Sequence, residues 1–171
     1  RGRFLFKSEL PHRVRHKGDV YEGEFKDGAF HGKGVYHYLS ENHLSPGDRY
    51  EGHFAGGDRH GDGTYHYQNG DVMRGVWSRG WLSGVGRYDF SNGDAYEGPL
   101  IELGIPEGEG VYTWSNGDRY EGQYKQGKRT GPGTYYHNNG TRTEGDFVNG
   151  EIDGIHVGGY ESSFMAPTRE N

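Results

Sequence analysis

The chain has no cysteine, which excludes a disulfide framework and fits a reducing compartment. It has no apolar run near the roughly 18 residues that a membrane-spanning helix requires, and no signal-peptide pattern at its start. Apolar residues are scarce as well. Only 30% of the 171 residues are hydrophobic, and a globular core of this length is normally built on Leu, Ile and Val, so a conventional compact core is not expected. Positive charge is in deficit. With 19 basic and 25 acidic residues the net charge is −6, which disfavours nucleic acid and anionic bilayers as partners. Serines are few and scattered, and no carboxylate pair stands outside a repeated pattern. Catalysis therefore has no candidate constellation, and no cofactor is expected.

What the chain does have is 33 glycines beside 14 Tyr, 8 Phe and 3 Trp. A disordered chain would lack the aromatics. Glycine and aromatic residues as regular punctuation predict many short strands joined by tight turns. Self-comparison explains the regularity. "YEGEFKDGAFHGKG" at 21 to 34 recurs as "YEGHFAGGDRHGDG" at 50 to 63, "MRGVWSRGWLSGVG" at 73 to 86, "YEGPLIELGIPEGEG" at 96 to 110 and "YEGQYKQGKRTGPG" at 120 to 133. A worn sixth copy, "TEGDFVNGEIDG", runs from 143 to 154. Starts at 50, 73, 96, 120 and 143 lie 23 or 24 apart, and the step from 21 to 50 is 29 because "LSENHLSP" swells a turn. The opening "GRFLF" matches the second half of an earlier copy, and the chain starts with Arg1 rather than Met, so it is expected to be a piece of a longer protein. The expected division is a partial upstream repeat and basic loop at 1–17, the repeat array at 18–157, and a degraded edge strand with a tail at 158–171.

The period also disposes of a phosphate-binding reading. Gly122, Gly127 and Lys128 have the GxxxxGK spacing of a phosphate-cradling loop, with Arg129 where Ser or Thr would hold magnesium. The same two glycines recur as Gly23 and Gly28, Gly52 and Gly57, Gly75 and Gly80, and Gly145 and Gly150, mostly without the lysine. A phosphate loop must also feed a helix, and no segment has helical periodicity. Repetition explains the histidines too. His31 and His60, or His37 and His66, hold equivalent positions roughly 10 Å or more apart, too far to share an ion held at about 2 Å, so no metal site is expected. Asn139-Gly140-Thr141 spells a glycosylation sequon, but it falls where each copy wants Asn-Gly for a turn.

Within a copy the first half runs aromatic, Glu, Gly, variable, aromatic, a period of two that predicts a strand with one aromatic and one polar face. A turn and a second alternating strand follow, so each copy is expected to be a β-hairpin. Asn-Gly-Asp at Asn69, Asn92 and Asn116 supplies the tight turn into the next copy. The expected fold is all-β: one elongated antiparallel sheet of tandem hairpins, a repeat rod. At about 4.8 Å per strand, six copies make a rod of about 55 to 60 Å. Its stability is a sum over repeats and their interfaces. The glycine at the third position of each copy leaves bare backbone over which a neighbouring ring can lie.

These copies resemble MORN repeats, whose consensus YEGxWxxGxxHGxGxxxxxxG is met by Tyr21-Glu22-Gly23-Glu24-Phe25 with His31-Gly32-Lys33-Gly34, and by Tyr50-Glu51-Gly52-His53-Phe54 with His60-Gly61-Asp62-Gly63. The resemblance covers about residues 18 to 155. Met73-Arg74 replaces Tyr-Glu in copy three, copy four carries Pro99 and an extra residue, and copy six has His156 in place of its second glycine. The resemblance implies a non-catalytic interaction module, because MORN arrays occur in cytoskeletal and ciliary scaffolds, in junctional membrane proteins and beside catalytic domains. Protein binding and self-association are the better supported roles. An intracellular, cytoplasmic setting at the cytoskeleton, a cilium or a membrane is implied with them.

A fold that hosts several functions requires an argument from the site. Two positions after each closing glycine stand Tyr36, Tyr65, Tyr88, Tyr112 and Tyr135, and four after it Tyr38, Tyr67, Phe90, Trp114 and His137. A period of two puts them on one face, and a single sheet has no second layer to cover it. At least part of that face is expected to be a solvent-accessible groove for a partner peptide, since Tyr and Trp bring large, stiff contact area with a polar handle. The bland alternative is that the rings only cover one another and the glycines. The candidate partner-binding set is Tyr36, Tyr38, Tyr65, Tyr67, Tyr88, Phe90, Tyr112, Trp114 and Tyr135, on a scaffold that also forms a homodimer through an array end. A second reading is a peripheral phosphoinositide or membrane module, with Lys7, Arg13, Arg15 and Lys17 as the lipid or acidic-partner contact. A third is a regulatory arm of a larger enzyme. On the polar face, Glu22, Glu51, Glu97, Glu121 and Glu144 are expected to form a negative stripe. It is tolerable because repulsion at roughly 10 Å is about 0.4 kcal/mol per pair and is screened by salt. It serves either as a solvated surface or as a contact for a basic partner segment.

Overall fold

The structure, a computed structural model, describes residues 2–5, 17–41, 46–101 and 104–155. Among the described residues there is no helix. The strands are β1 (Gly2–Leu5), β2 (Val20–Lys26), β3 (Ala29–His37), β4 (Arg49–Ala55), β5 (Asp58–His66), β6 (Val72–Ser78), β7 (Trp81–Asp89), β8 (Ala95–Ile101), β9 (Ile105–Pro106), β10 (Gly108–Thr113), β11 (Arg119–Lys125), β12 (Lys128–Tyr136), β13 (Arg142–Val148) and β14 (Glu151–Ile155). All except β9 follow one another in chain order through a single antiparallel sheet, and the two-residue β9 pairs with β8 as a side branch. Thirteen strands at about 4.8 Å give a rod of about 58 Å. The expected all-β rod of tandem hairpins is the observed fold, with each sequence copy folded as one hairpin.

Strand register explains the repeated glycines. They face each other across four of the hairpins, as Gly23 with Gly34, Gly52 with Gly63, Gly75 with Gly86 and Gly122 with Gly133. The first tyrosine of the copy folds back over that bare pair. A Cβ on Gly34 would stand 2.6 Å from both Cε2 and Cζ of Tyr21, so no side chain fits beneath the ring. In this way Tyr21, Tyr50, Tyr96 and Tyr120 are fully buried although the protein has one layer of backbone. Beside the glycine pair the register shifts, a β-bulge that leaves two extra residues in the second strand. At the hairpin tip, Asp27 and Gly28 both have positive φ, 51° and 75°, the paired left-handed conformation of a two-residue turn matched to strand twist.

The core is one-sided and aromatic. Tyr21 stacks on Phe30 with centroids 3.7 Å apart and meets Phe25 and, in the next copy, Phe54 edge-on at 5.2 and 5.0 Å. Each hairpin thus seals against its successor with ring contacts of favourable geometry. Arg59 and Arg129 occupy the position of Phe30 in their copies. The Arg59 guanidinium lies 4.4 Å over Trp77 and that of Arg129 5.2 Å over Phe147, while each donates a hydrogen bond to a tip carbonyl of the following hairpin, Gly80 and Gly150.

Candidate functional site

Asn-Gly-Asp does more than turn the chain. Asp19, Asp48, Asp71 and Asp94 are buried at the entry to their hairpins. Each accepts the hydroxyl of the inner tyrosine on the second strand of the same copy: Tyr36 to Asp19 at 2.7 Å, Tyr65 to Asp48 at 2.8 Å, Tyr88 to Asp71 at 2.8 Å and Tyr112 to Asp94 at 2.7 Å. Tyr135 to Asp118 at 2.7 Å continues the series. The other carboxylate oxygen accepts a backbone N–H from the outgoing turn, of Ser40, Gln68, Ser91, Ser115 or Asn138, at 2.8 to 3.0 Å. One carboxylate therefore fastens the entry of a hairpin to its exit, and fixes the inner ring while doing so.

The latch shows in the ionisation of its members. The hydrogen bond from Tyr112 holds Asp94 below the ordinary carboxylate value, and that from Tyr135 does the same for Asp118. At Asp71 burial pushes the carboxyl up, but bonds from Ser91, Asn69 and Tyr88 outweigh it and the net direction is down. The tyrosines respond in the opposite sense. Burial first, and then the aspartate bond, pushes Tyr135 up to about 12 and raises Tyr88 and Tyr112.

On this frame the predicted site residues form an unbroken ladder of rings. Centroid steps along it are 4.6 Å from Tyr36 to Tyr38, 5.7 Å to Tyr65, 4.8 Å to Tyr67, 5.4 Å to Tyr88 and 4.6 Å to Phe90. It continues by 5.6 Å to Tyr112, 4.8 Å to Trp114, 5.0 Å to Tyr135 and 4.8 Å to His137. The nine candidate residues are thus brought together, but at two depths. Tyr36, Tyr65 and Tyr88 are buried, whereas Tyr38, Tyr67, Phe90, Tyr112, Trp114 and Tyr135 are partly exposed. A uniformly accessible face is not what the rings present: the inner row is buried at Tyr36, Tyr65 and Tyr88 and partly exposed at Tyr112 and Tyr135, and the outer row beside the connecting turns is partly exposed throughout. At its midpoint copy four leans on the ladder. A Cβ on Gly104 would stand 2.7 Å from Cε2 of Tyr88, so the extra residue of that copy is accommodated only because its backbone can lie directly on the ring.

The MORN repeat model matches residues 21–40, 50–72, 74–95, 102–119 and 120–142, more than half of the chain. The chain belongs to the MORN-repeat family. No curated protein matches it. MORN repeats are protein- and membrane-interaction modules and generally non-enzymatic, so the chain is a repeat scaffold in that broad sense. The sixth copy lies outside the matched segments, yet β13 and β14 still form an antiparallel hairpin, with Gly145 opposite Ile155, and Phe147 packs edge-on against Tyr120 at 4.8 Å.

The polar face of this MORN array corrects one expectation. It is not a bare negative stripe, because every consensus glutamate stands beside an arginine: Arg3 with Glu22 at 2.8 Å, Arg49 with Glu51 at 3.9 Å, Arg87 with Glu97 at 3.6 Å, Arg119 with Glu121 at 2.7 Å and Arg142 with Glu144 at 3.2 Å. In copy three, where Arg74 replaces the glutamate, it pairs with Asp89, which also accepts from Arg87 at 2.8 Å. The reason is the period of two. Arg49, Arg119 and Arg142 lie two residues before their glutamates and so share their face, a second repeated position masked by the stronger Tyr-Glu-Gly signal. Exposed pairs of this kind stabilise by about 0 to 1 kcal/mol each, and their larger effect is to cancel the stripe.

Of the proposed basic contact, Lys17 is exposed, and Lys7, Arg13 and Arg15 lie outside the described residues. Among the described residues no three His, Asp or Glu side chains are grouped so as to hold a metal ion.

Proposed function

We propose that this MORN array is a non-catalytic scaffold that holds a partner peptide along its aromatic face, against the outer rings Tyr38, Tyr67, Phe90 and Trp114. The observation that carries the reading is the continuous ring ladder, with steps between 4.6 and 5.7 Å, whose inner members are latched to aspartates. Rings already held in place lose little freedom when a ligand lands on them, and the saving appears directly in affinity. Their composition is that of binding hot spots, where Tyr and Trp dominate. The reading is tested with a partner recovered from cell extract, expressed in isolation and titrated against variants. Tyr67→Ala and Trp114→Ala should each weaken binding by about tenfold or more, on the order of 1.4 kcal/mol, while Trp81→Ala, on the opposite face, should not. Binding that survives both outer-ring changes places the partner elsewhere.

A further inference from the structure

The conformation of the partner segment can be inferred from the spacing of the rings, on the premise that the aromatic face is where it binds. One outer ring occurs per copy, immediately before the connecting turn: Tyr38, Tyr67, Phe90, Trp114 and His137. Because each copy contributes two strands to the sheet, this row repeats at about 9.6 Å. The ring steps set an upper limit on it. Tyr38 to Tyr65 and Tyr65 to Tyr67 are 5.7 and 4.8 Å, so the outer pair is at most 10.5 Å apart, and for Trp114 and His137 steps of 5.0 and 4.8 Å set the limit at 9.8 Å.

A segment lying along the rod must return a side chain to the ladder at that interval or fall out of step. An extended β-strand returns the same face every two residues, roughly 6.6 to 6.8 Å, and is out of phase after one copy. A helix returns near the same face after seven residues, about 10.5 Å, and drifts by roughly 3.6 Å over four copies. A polyproline II helix returns every three residues, about 9.3 Å, and drifts by only about 1.2 Å over the same length. We propose that the outer row is a docking site for a proline-rich segment in the polyproline II conformation, with a proline or other apolar residue at every third position, one per repeat.

The chemistry of the row suits such a ligand. Polyproline II has no internal hydrogen bonds, so its carbonyls face outward, and the row carries the Trp114 indole among its rings. Aromatic-lined grooves are a general means of holding such segments, because the stiff ligand has little entropy left to lose. Both partners are then preorganised.

The test uses three synthetic 13-residue peptides, each spanning about 40 Å when in this conformation. The first is an oligoproline with leucine at every third position, the second has the same composition with its leucines grouped at two-residue spacing, and the third keeps the three-residue spacing on a glycine-serine backbone. Titration of the whole chain should give binding of the first about tenfold tighter than of either other, reduced at least about fivefold by Tyr67→Ala or Trp114→Ala and unchanged by Trp81→Ala. Equal affinity for all three peptides, or no saturable binding of the first at millimolar concentration, overturns the proposal. If the oligoproline fails while a protein partner still depends on Tyr67 and Trp114, the conformation is wrong and the binding face stands. If the oligoproline binds but loses affinity only with Trp81→Ala, both readings fall.

Discussion

At the residue scale the fold is a set of hydroxyls and carboxylates placed so that a one-layer core can be dry. Tyr120 and Tyr124 are the exceptions, and Tyr124 is the one whose counterparts lack the hydroxyl. Its hydroxyl is buried with no hydrogen-bond partner among the described residues, whereas Phe25, Phe54, Trp77 and Phe147 bring no hydroxyl to the same repeat position. Tyr124→Phe should therefore raise stability by about 1 kcal/mol and the melting temperature by about 2 to 4 °C, since an unpaired buried group costs on that order; a lower melting temperature would show that the hydroxyl has a role. The aspartate latch makes the opposite prediction. Asp94 is held below its ordinary value by Tyr112, so its stabilisation is present above about pH 4 and is lost as pH falls below that toward the lowered native value. Tyr135 is pushed up to about 12, so its share is complete below about pH 10 and is lost as pH rises from there toward 12. Urea melts across pH should trace a plateau with a fall at each end. Tyr112→Phe should lower the plateau by about 1 to 3 kcal/mol and shallow the acid limb; an acid limb as steep as that of the wild type would remove the latch from the account. None of this was legible in the chain. Asp94 and Tyr112 are 18 residues apart, and the local signal at Asn92-Gly93-Asp94 is a turn, which is true and incomplete.

At the element scale the hairpin is the unit, and here the sequence was informative. A ring over bare backbone was expected from the third-position glycine; strand pairing adds that Gly34 stands opposite Gly23 with Tyr21 above them both. Gly34→Ala should cost at least about 1 to 3 kcal/mol, the penalty of overpacking, because the ring cannot retreat without leaving Phe30. Circular dichroism melts would check it, and an unchanged midpoint would mean that the ring is not seated as described. What period-two reasoning could not supply is depth. Tyr36 and Tyr38 share a face in any strand, but which of them is buried depends on Asp19 and on the ring of Tyr65 in the next copy, contacts that no single-strand pattern contains. The arginines beside the glutamates were missed for a related reason, since a cross-strand or i,i+2 companion is visible only once register and face are known.

At the scale of the whole molecule the protein is a rod with two unlike faces, one carrying rings and the other paired charges. The three tryptophans happen to sample its environments: Trp77 is buried in the core, Trp81 is 61% exposed on the polar face, and Trp114 stands in the outer row of the ladder. Fluorotryptophan labelling followed by fluorine NMR during titration with a partner segment therefore reads out the binding face in one experiment. The account predicts a saturable shift of the Trp114 resonance with Trp77 and Trp81 unmoved. A shift confined to Trp81 would contradict it, and would move the binding site to the arginine–glutamate face.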